Sequence, residues 1–307
     1  MPAISDVPPV PGAAAVATTA RVALVFGASG QIGAALVERL HAADWQVVAV
    51  SRAPRTDTPG LRWLRGDLIG AMSPLPSRLD AVFSAGPLDH FARWYAAAQL
   101  PAARVVAFGS TSVEAKRASP DPDERALAAR LAEAEAVLFA AAAAQGAAAT
   151  VLRPTLVYGR GLDRNLSRIV ALARRFGRVV LPRVARGLRQ PVHADDLADA
   201  ALSCLQVPAS HGRAYALPGG ETLAYREMVA RTLAALDSPP PLYALPMPVF
   251  RALLALAQAT GMARDLSAAA VLRMGEDLVF DAEPARRDFG YAPRPFAPIA
   301  AMFAPPH

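Results

Sequence analysis

Short apolar runs alternate with stretches of helical periodicity along the first two thirds of the chain. Val22-Ala23-Leu24-Val25-Phe26 is a continuous apolar run of buried-strand length, and it leads through glycines into a segment with Ile32, Leu36 and Leu40 at helical spacing. Further strands are predicted at Gln46 to Val50, at Arg62 to Leu68, at Ala81 to Gly86, at Arg104 to Phe108 and at Thr150 to Leu152. A long helix is expected from Asp123 to Ala144, capped by Asp121 or Asp123, with Leu127, Leu131, Val137 and Leu138 toward the core. Strands alternating with helices in this way imply a parallel sheet with helices on both faces.

The pattern changes after Gly159. A basic helix is expected over about Leu166 to Phe176. Another begins at Asp195-Asp196 with Leu197, Ala201 and Leu205 as its apolar line, and the two carboxylates suit a helix start as dipole partners or caps. A short strand follows at Tyr215 to Leu217, then an amphipathic helix from Tyr225 to Leu236 and a linker at Ser238-Pro239-Pro240-Pro241. Val249, Leu253 and Leu256 mark a last helix, expected to pack in the core, because its polar face is not basic enough for a membrane surface. The C-terminal end reads as Pro-rich and irregular.

The glycine turn is the first place where pattern implies chemistry. In Gly27-Ala28-Ser29-Gly30-Gln31-Ile32-Gly33, Gly27 permits a tight turn, Gly30 lets the backbone approach a pyrophosphate, and Gly33 lets helix and strand pack closely. The helix start offers free N–H groups and a positive dipole end to phosphates. Strand, glycine turn and helix in that order predict a dinucleotide site, and with it an α/β, Rossmann-type doubly wound parallel sheet. Ser51 and Arg52, with Arg55 nearby, stand after the second strand, where an acidic residue would bond a ribose 2′-hydroxyl and an arginine would pair with a 2′-phosphate. The expected cofactor is therefore NADP, with NAD as the alternative. Asp67, followed by Leu68, suits either an adenine amino group or the closing of a turn. Ser84, Ala85 and Gly86 leave room for a cofactor against the backbone. Ser110 and Thr111 are hydroxyls at the carboxyl end of a strand, where such folds bind ligands, or else ordinary turn hydroxyls.

Composition narrows the class. No apolar run reaches the length of a membrane span, and no charged-then-apolar leader is present, so a cytoplasmic protein is expected. Cys204 is alone, which fits a reducing compartment and excludes an internal disulfide. Lys116 is the only lysine among 32 Lys and Arg residues, and the formal charge is +6. The arginines are scattered rather than gathered in a stripe, which argues against nucleic acid as a partner. No metal site is expected. The organisation reads as a disordered tail over 1–20, a dinucleotide-binding domain over 21–160, and a smaller, mainly substrate-binding subdomain over 161–307, with 192–206 packing back on the first domain.

Together these pieces resemble the extended short-chain dehydrogenase/reductase superfamily, in its NAD-dependent epimerase/dehydratase branch, from about Arg21 to Phe296. Gly27 to Gly33 is similar to that family's G-x-x-G-x-x-G loop, and Gly66-Asp67-Leu68 to its adenine-side turn. Gly109 to Val113 resembles the strand end with the catalytic Ser/Thr, at Ser110. Arg153-Pro154-Thr155 to Gly159 resembles the segment beside the nicotinamide, Val192 to Ala198 the "HVDDLA" signature, and Phe280 to Pro293 the C-terminal ending. The resemblance implies a small-molecule substrate, nucleotide-sugar-like or otherwise anionic, met by Thr111, Asn165, Arg189 and His193, and it leaves a homodimer open. One departure stands out. The family's acid/base pair is a Tyr with a Lys four residues later, and the helix before Arg153 has Ala126/Arg130 or Leu127/Leu131 there instead. Ser110 and Tyr158 are the expected substitutes, with His193 behind them. The resulting readings are an atypical NADP-linked epimerase, dehydratase or reductase, or a dinucleotide-loaded sensor or scaffold without turnover.

Overall fold

The computed structural model describes residues 20–100, 102–163, 165–259 and 268–303; most of the N-terminal tail expected from the sequence lies outside these. The first unit runs β1 (Val22–Phe26), α1 (Gln31–Ala42), β2 (Gln46–Ser51), β3 (Leu61–Arg65), β4 (Ala81–Ser84), α2 (Leu88–Ala98), β5 (Arg104–Phe108), α3 (Ser112–Ala115), α4 (Pro122–Ala144) and β6 (Ala148–Pro154). The rest contributes β7 (Val157–Tyr158), α5 (Leu166–Phe176), β8 (Val179–Pro182), β9 (Leu188–Arg189), β10 (Val192–His193), α6 (Ala194–Leu205), β11 (Arg213–Leu217), β12 (Leu223–Ala224), α7 (Tyr225–Ala234), β13 (Leu242–Leu245), α8 (Met247–Ala259), α9 (Ala268–Arg273) and α10 (Glu283–Phe289).

Seven strands form one sheet in the order β11-β6-β5-β4-β1-β2-β3. Every pair in it is parallel, which makes the molecule a doubly wound α/β protein of the Rossmann type. The alternation of side chains along β1 divides the core. Ala23 and Val25 point into a cluster with Leu36 and Leu40 of α1 and Leu197 and Ala201 of α6. Leu24 and Phe26 point to the other face, into a cluster with Phe91 and Tyr95 of α2 and Leu138 of α4. Because both faces are covered, the central strands β1, β4 and β5 are mostly apolar, and that is why they read as hydrophobic runs. A third cluster gathers Tyr158, Leu166, Val170, Met228, Val229, Leu233 and Phe296 away from the main sheet.

Several details differ from the sequence pattern. Asp121 is the cap of α4, its carboxylate accepting from the Asp123 amide at 2.9 Å, and Pro122 opens the helix. Helices α2 and α10 were not expected, although Leu88, Phe91, Ala92 and Tyr95 follow helical spacing and are all buried. The apolar line of α8 is not core. Phe250 is its buried anchor, whereas Val249, Leu253 and Leu256 are 52%, 44% and 64% exposed. The helix cap before Asp195 and Asp196 is His193, whose Nδ1 accepts from the Asp195 amide at 3.1 Å.

Two arginine clamps join the units. Arg160 pairs with Glu38 of α1 and Asp195 of α6, and Arg39 pairs with Asp195 and Asp199, so α1 and α6 are laced along one seam. Arg104, at the start of β5, donates to the carbonyls of Leu205, Ala148 and Cys204 at 2.8 to 3.1 Å and to the hydroxyls of Thr150 and Ser210 at 3.3 and 3.2 Å. Removing that guanidinium takes donors from carbonyls at the end of α6 and the start of β6. Arg104→Met is expected to destabilise the protein by about 2–4 kcal/mol, read as a lower urea midpoint with unchanged slope; a loss below about 0.5 kcal/mol would show the clamp to be ornamental.

Candidate functional site

The carboxyl ends of β1 and β4 lie side by side, with Phe26 in register with Ser84, and the glycine loop leaves the sheet at this point. Gly27 adopts φ +70, and a Cβ there would sit 2.7 Å from the Ala85 carbonyl carbon, so the loop lies backbone to backbone against Ala85 and Gly86. The Gly30 amide closes the turn onto the Gly27 carbonyl at 2.9 Å. A Cβ on Gly33 would overlap that same carbonyl, whereas one on Gly30 would meet only Gly27 O, at 3.3 Å, and otherwise stand in open space. Helix α1 starts at Gln31 with no side-chain cap. Its first N–H groups are left for something else, which is the arrangement that binds phosphate.

Two buried polar atoms at this place have no partner, Gln31 Oε1 and Ser84 Oγ. A buried polar atom without a hydrogen bond is costly, and these two fit a polar ligand laid over the loop. Leu68 reaches the same spot, its Cδ1 3.5 Å from where a Gly86 Cβ would be. Ser51, nearly buried, ends β2, and exposed Arg52 follows it beside the loop, since Val50 is in register with Phe26. Thus Gly27, Ser29, Gly30, Gln31, Ile32, Gly33, Ser51, Arg52, Leu68, Ser84, Ala85 and Gly86 are gathered at the carboxyl end of the sheet. Asp67 closes a turn: its Oδ1 accepts from the Ile69 amide at 3.3 Å and its carbonyl from the Gly70 amide.

The hydroxyls after β5 divide in role. Thr111 is buried and bonds the Pro154 carbonyl through both its amide and its Oγ1, at 3.2 Å each, so it ties β5 to β6. Ser110 Oγ accepts from the Ser112 amide at 3.1 Å, which leaves its O–H free to donate. Beside them Arg153 is held by Glu114 and Glu135.

The substrate-side candidates are mostly engaged by the chain itself. Tyr158 is fully buried, edge-on to His193 and Phe296, with its OH accepting from the Ala297 amide at 3.4 Å. Burial raises its pKa, so this phenol is a packing group of the third cluster and a poor proton donor. His193 is buried as the cap of α6, its Nε2 unpartnered and facing Gly159, which has φ +120. Arg189 is consumed by backbone. Its Nη1 donates to the carbonyls of Leu188 and Glu276 at 2.8 and 2.7 Å, its Nη2 to Arg273 at 2.5 Å, and its guanidinium stacks over Tyr225. Asn165 is exposed at the start of α5, where Asp163 supplies the carboxylate that accepts from the Asn165 and Ser167 amides. The sequence reading passed over Asp163, although an acid before a helical run is a cap signal.

A model of the NAD dependent epimerase/dehydratase family matches residues 23–98 and 94–217. The chain belongs to this family. The epimerase-family chain is 28% identical, over 88% of its length and 94% of the relative's, to 2-alkyl-3-oxoalkanoate reductase from Stenotrophomonas maltophilia. It is also 27% identical to UDP-glucose 4-epimerase from Vibrio cholerae over 118 residues, 38% of this chain, a match that spans about a third of that enzyme (35%). Among solved structures, MoeE5 in complex with UDP-glucuronic acid and NAD shares the fold with a TM-score of 0.65 at 21% identity, over 89% of this chain and 94% of that one. The terminal R domain of the myxalamid PKS-NRPS pathway does so with 0.66 at 19%, over 96% and 90%.

In this family member α4 contains neither tyrosine nor lysine. Ala126 and Arg130 are exposed, and Arg130 lines a shallow surface groove with Asp89 and Arg93 of α2. Lys116 caps the C-terminal end of α3 and pairs with Glu124 at 3.4 Å. Among the described residues no group of three His, Cys, Asp or Glu could hold a metal ion, and no helix is long and apolar enough to cross a membrane.

The loop geometry separates its glycines. Gly30→Val should fold, with a stability change below about 1 kcal/mol, and lose dinucleotide binding, because the new side chain fills the phosphate's place. Gly33→Val should instead cost about 3 kcal/mol or more, since it forces α1 off the Gly27 carbonyl. Thermal unfolding together with cofactor fluorescence titration distinguishes them; unimpaired binding by Gly30→Val would refute the cradle.

The cap of α6 should titrate. Burial lowers the His193 pKa from its ordinary 6.5, and neutral Nδ1 is the cap acceptor. The folded state therefore binds fewer protons than the unfolded one. The contribution of His193 is complete above pH 6.5 and is lost as the pH falls from there through the lowered folded value. His193→Asn keeps a cap acceptor that does not titrate, so its melting temperature should decline less than the wild type's below that pH. Parallel declines would show that His193 is not the group responsible.

Proposed function

We propose that this protein binds NADP(H) in preference to NAD(H) and acts as a reductase-type member of its family on a small anionic carbonyl compound, with Ser110 as the lone hydroxyl at the reacting end. The observation that carries the reading is the glycine cradle with Gln31 Oε1 and Ser84 Oγ buried and unpartnered at its edge. Gly27, Gly30 and the start of α1 would hold the pyrophosphate, and Ser84 to Gly86 would back the cofactor. The preference for NADP rests on Arg52, an exposed guanidinium after β2 that has no ion-pair partner among the described residues. The bound cofactor supplies or accepts a hydride.

The chain's part is to orient the carbonyl and manage its proton. Ser110 retains a free O–H that can bond the carbonyl oxygen. A serine hydroxyl does not ionise usefully near neutral pH, and α4 offers no Tyr/Lys pair, so the proton must come from water. General acid/base groups contribute typically 10²–10⁴-fold, and turnover should be slower than with the pair by about that factor. The full-length relative named as a 2-alkyl-3-oxoalkanoate reductase supports the carbonyl reading. A nucleotide sugar is disfavoured because Arg189, the one cation among the four residues expected to meet the substrate, is spent on carbonyls. The absence of Tyr and Lys from α4 favours a second reading, a dinucleotide-loaded sensor without turnover.

Two variants test this. Arg52→Ala should weaken NADPH binding about 10- to 100-fold, the scale of a charge-assisted hydrogen bond, and leave NADH nearly unchanged. Equal losses, or tighter wild-type binding of NADH, would reduce Arg52 to a surface residue. Ser110→Ala should lower steady-state NADPH oxidation by an oxo acid without altering NADPH affinity. No oxidation with any oxo acid or sugar nucleotide, alongside tight NADPH binding, would select the sensor.

A further inference from the structure

We propose that Gly86 keeps open a notch the width of a methyl group at the carboxyl end of β4, and that the Ser84 hydroxyl at its floor bonds an oxygen of the dinucleotide's ribose–pyrophosphate chain. This rests on the cofactor reading and assigns one side chain to one part of that ligand.

Ser84 is the last residue of β4 and is 1% exposed. Side chains alternate along the strand. Ala81 and Phe83 lie on one face of the sheet and Val82 on the other, so the Ser84 side chain shares the face of Val82. That face is the apolar cluster of Phe26, Leu88 and Phe91, which offers a hydroxyl nothing to bond. Ser84 Oγ accordingly has no hydrogen-bond partner among the described residues. Gln31 Oε1 has none either, but it ends a long, half-buried side chain that can turn outward. Ser84 carries its oxygen on a short side chain fixed to a central strand and has no such escape. If the fold needed only a small residue here, alanine would serve without the cost of an unmet hydrogen bond.

The residue two places further on supplies a second observation. The fold requires glycine at 27 and 33, where an added Cβ would run into backbone. It does not require glycine at 86. The φ of Gly86 is not positive, and a Cβ there would meet only Leu68 Cδ1 at 3.5 Å and Ser84 Oγ at 3.8 Å among the described residues, both ordinary contacts. The missing side chain leaves a gap beside the unpaired hydroxyl, walled by Leu68. The gap adjoins the glycine loop, because a Cβ on Gly27 would stand 2.8 Å from the Gly86 amide nitrogen. An alanine at 86 would close it. A gap of this width excludes both ring systems of a dinucleotide and admits a single projecting oxygen. The Ser84 hydroxyl can donate and accept, so a ribose hydroxyl and a phosphate oxygen are both suitable partners.

The test measures thermal unfolding of the full chain without ligand, and calorimetric titration of the same samples with NADP. Ser84→Ala removes an unpaired polar atom. Gly86→Ala restricts the unfolded chain at a φ that alanine tolerates. Both variants should therefore melt about 1–3 °C above the wild type. Both should nevertheless bind NADP more weakly, Ser84→Ala about 3- to 10-fold and Gly86→Ala about tenfold or more. A merely structural hydroxyl gives the opposite result for Ser84→Ala, a lower melting temperature with unchanged affinity. Either of those outcomes overturns the proposal, as does unchanged affinity in Gly86→Ala. The ratio of wild-type to Ser84→Ala affinity should be the same for the hypoxanthine analogue of NADP, which alters the purine, and for 2′-phospho-ADP-ribose, which lacks the nicotinamide. A ratio that falls to unity with either ligand places Ser84 on a base and overturns the assignment to the ribose–pyrophosphate chain. The cofactor reading is scored separately. It falls if the wild-type chain binds no dinucleotide, whereas NADP binding that Gly30→Val abolishes and Ser84→Ala leaves intact removes this inference alone.

Discussion

The contact of the Gly27 carbonyl with Gly33 fixes the angle at which α1 leaves the sheet, and most of the molecule follows from it. Only a residue without a side chain at Gly33 lets the first turn of the helix rest on the loop, and only a left-handed Gly27 brings that loop back over Ala85. With α1 set at that angle, Leu36 and Leu40 reach the face of β1 that carries Ala23 and Val25, and α6 packs beside them. The same geometry leaves the start of α1 uncapped at the point where the chain passes from β1 to neighbours on opposite sides. The candidate cofactor site and the core therefore share one constraint.

The excess of arginine has a structural meaning. Arg39, Arg104, Arg153, Arg160, Arg189 and Arg273 are all engaged by carboxylates or by backbone carbonyls within the chain. A planar fork with five donors suits this clamping work, which joins helix ends, strand starts and the two units. Pairing within the chain leaves the formal net charge of +6 unchanged and fixes where those guanidinium groups sit. It also explains why the most conspicuous substrate-side arginine in the sequence turned out to be a strut.

Much of the sheet was legible in the sequence because its strands are buried on both faces and read as plain apolar runs, and the glycine loop because its spacing answers to backbone sterics alone. The short helices and two-residue strands were not, since they are held by distant partners. Helix α10 lies in a stretch that reads as irregular but packs on β11 and α6. The stripe on α8 illustrates the opposite error. Periodicity shows that a helix has an apolar side, but nothing local states what lies against it, and Val249, Leu253 and Leu256 remain exposed.

The sequence by itself determined the main strands of the sheet, the glycine loop and the lack of Tyr and Lys in α4, because these depend on local pattern and residue identity. Tertiary structure alone decided which polar groups are free. Tyr158, Thr111, His193 and Arg189 all had suitable chemistry, yet each is committed to a carbonyl, an amide or a packed ring by elements far away in the chain. Conversely, Glu124 and Arg273 stand 149 positions apart and meet only because α9 is delivered to the start of α4. A hydrogen bond satisfied by a remote backbone leaves no trace in the spacing of residues, and so the division between struts and site could be made only in three dimensions.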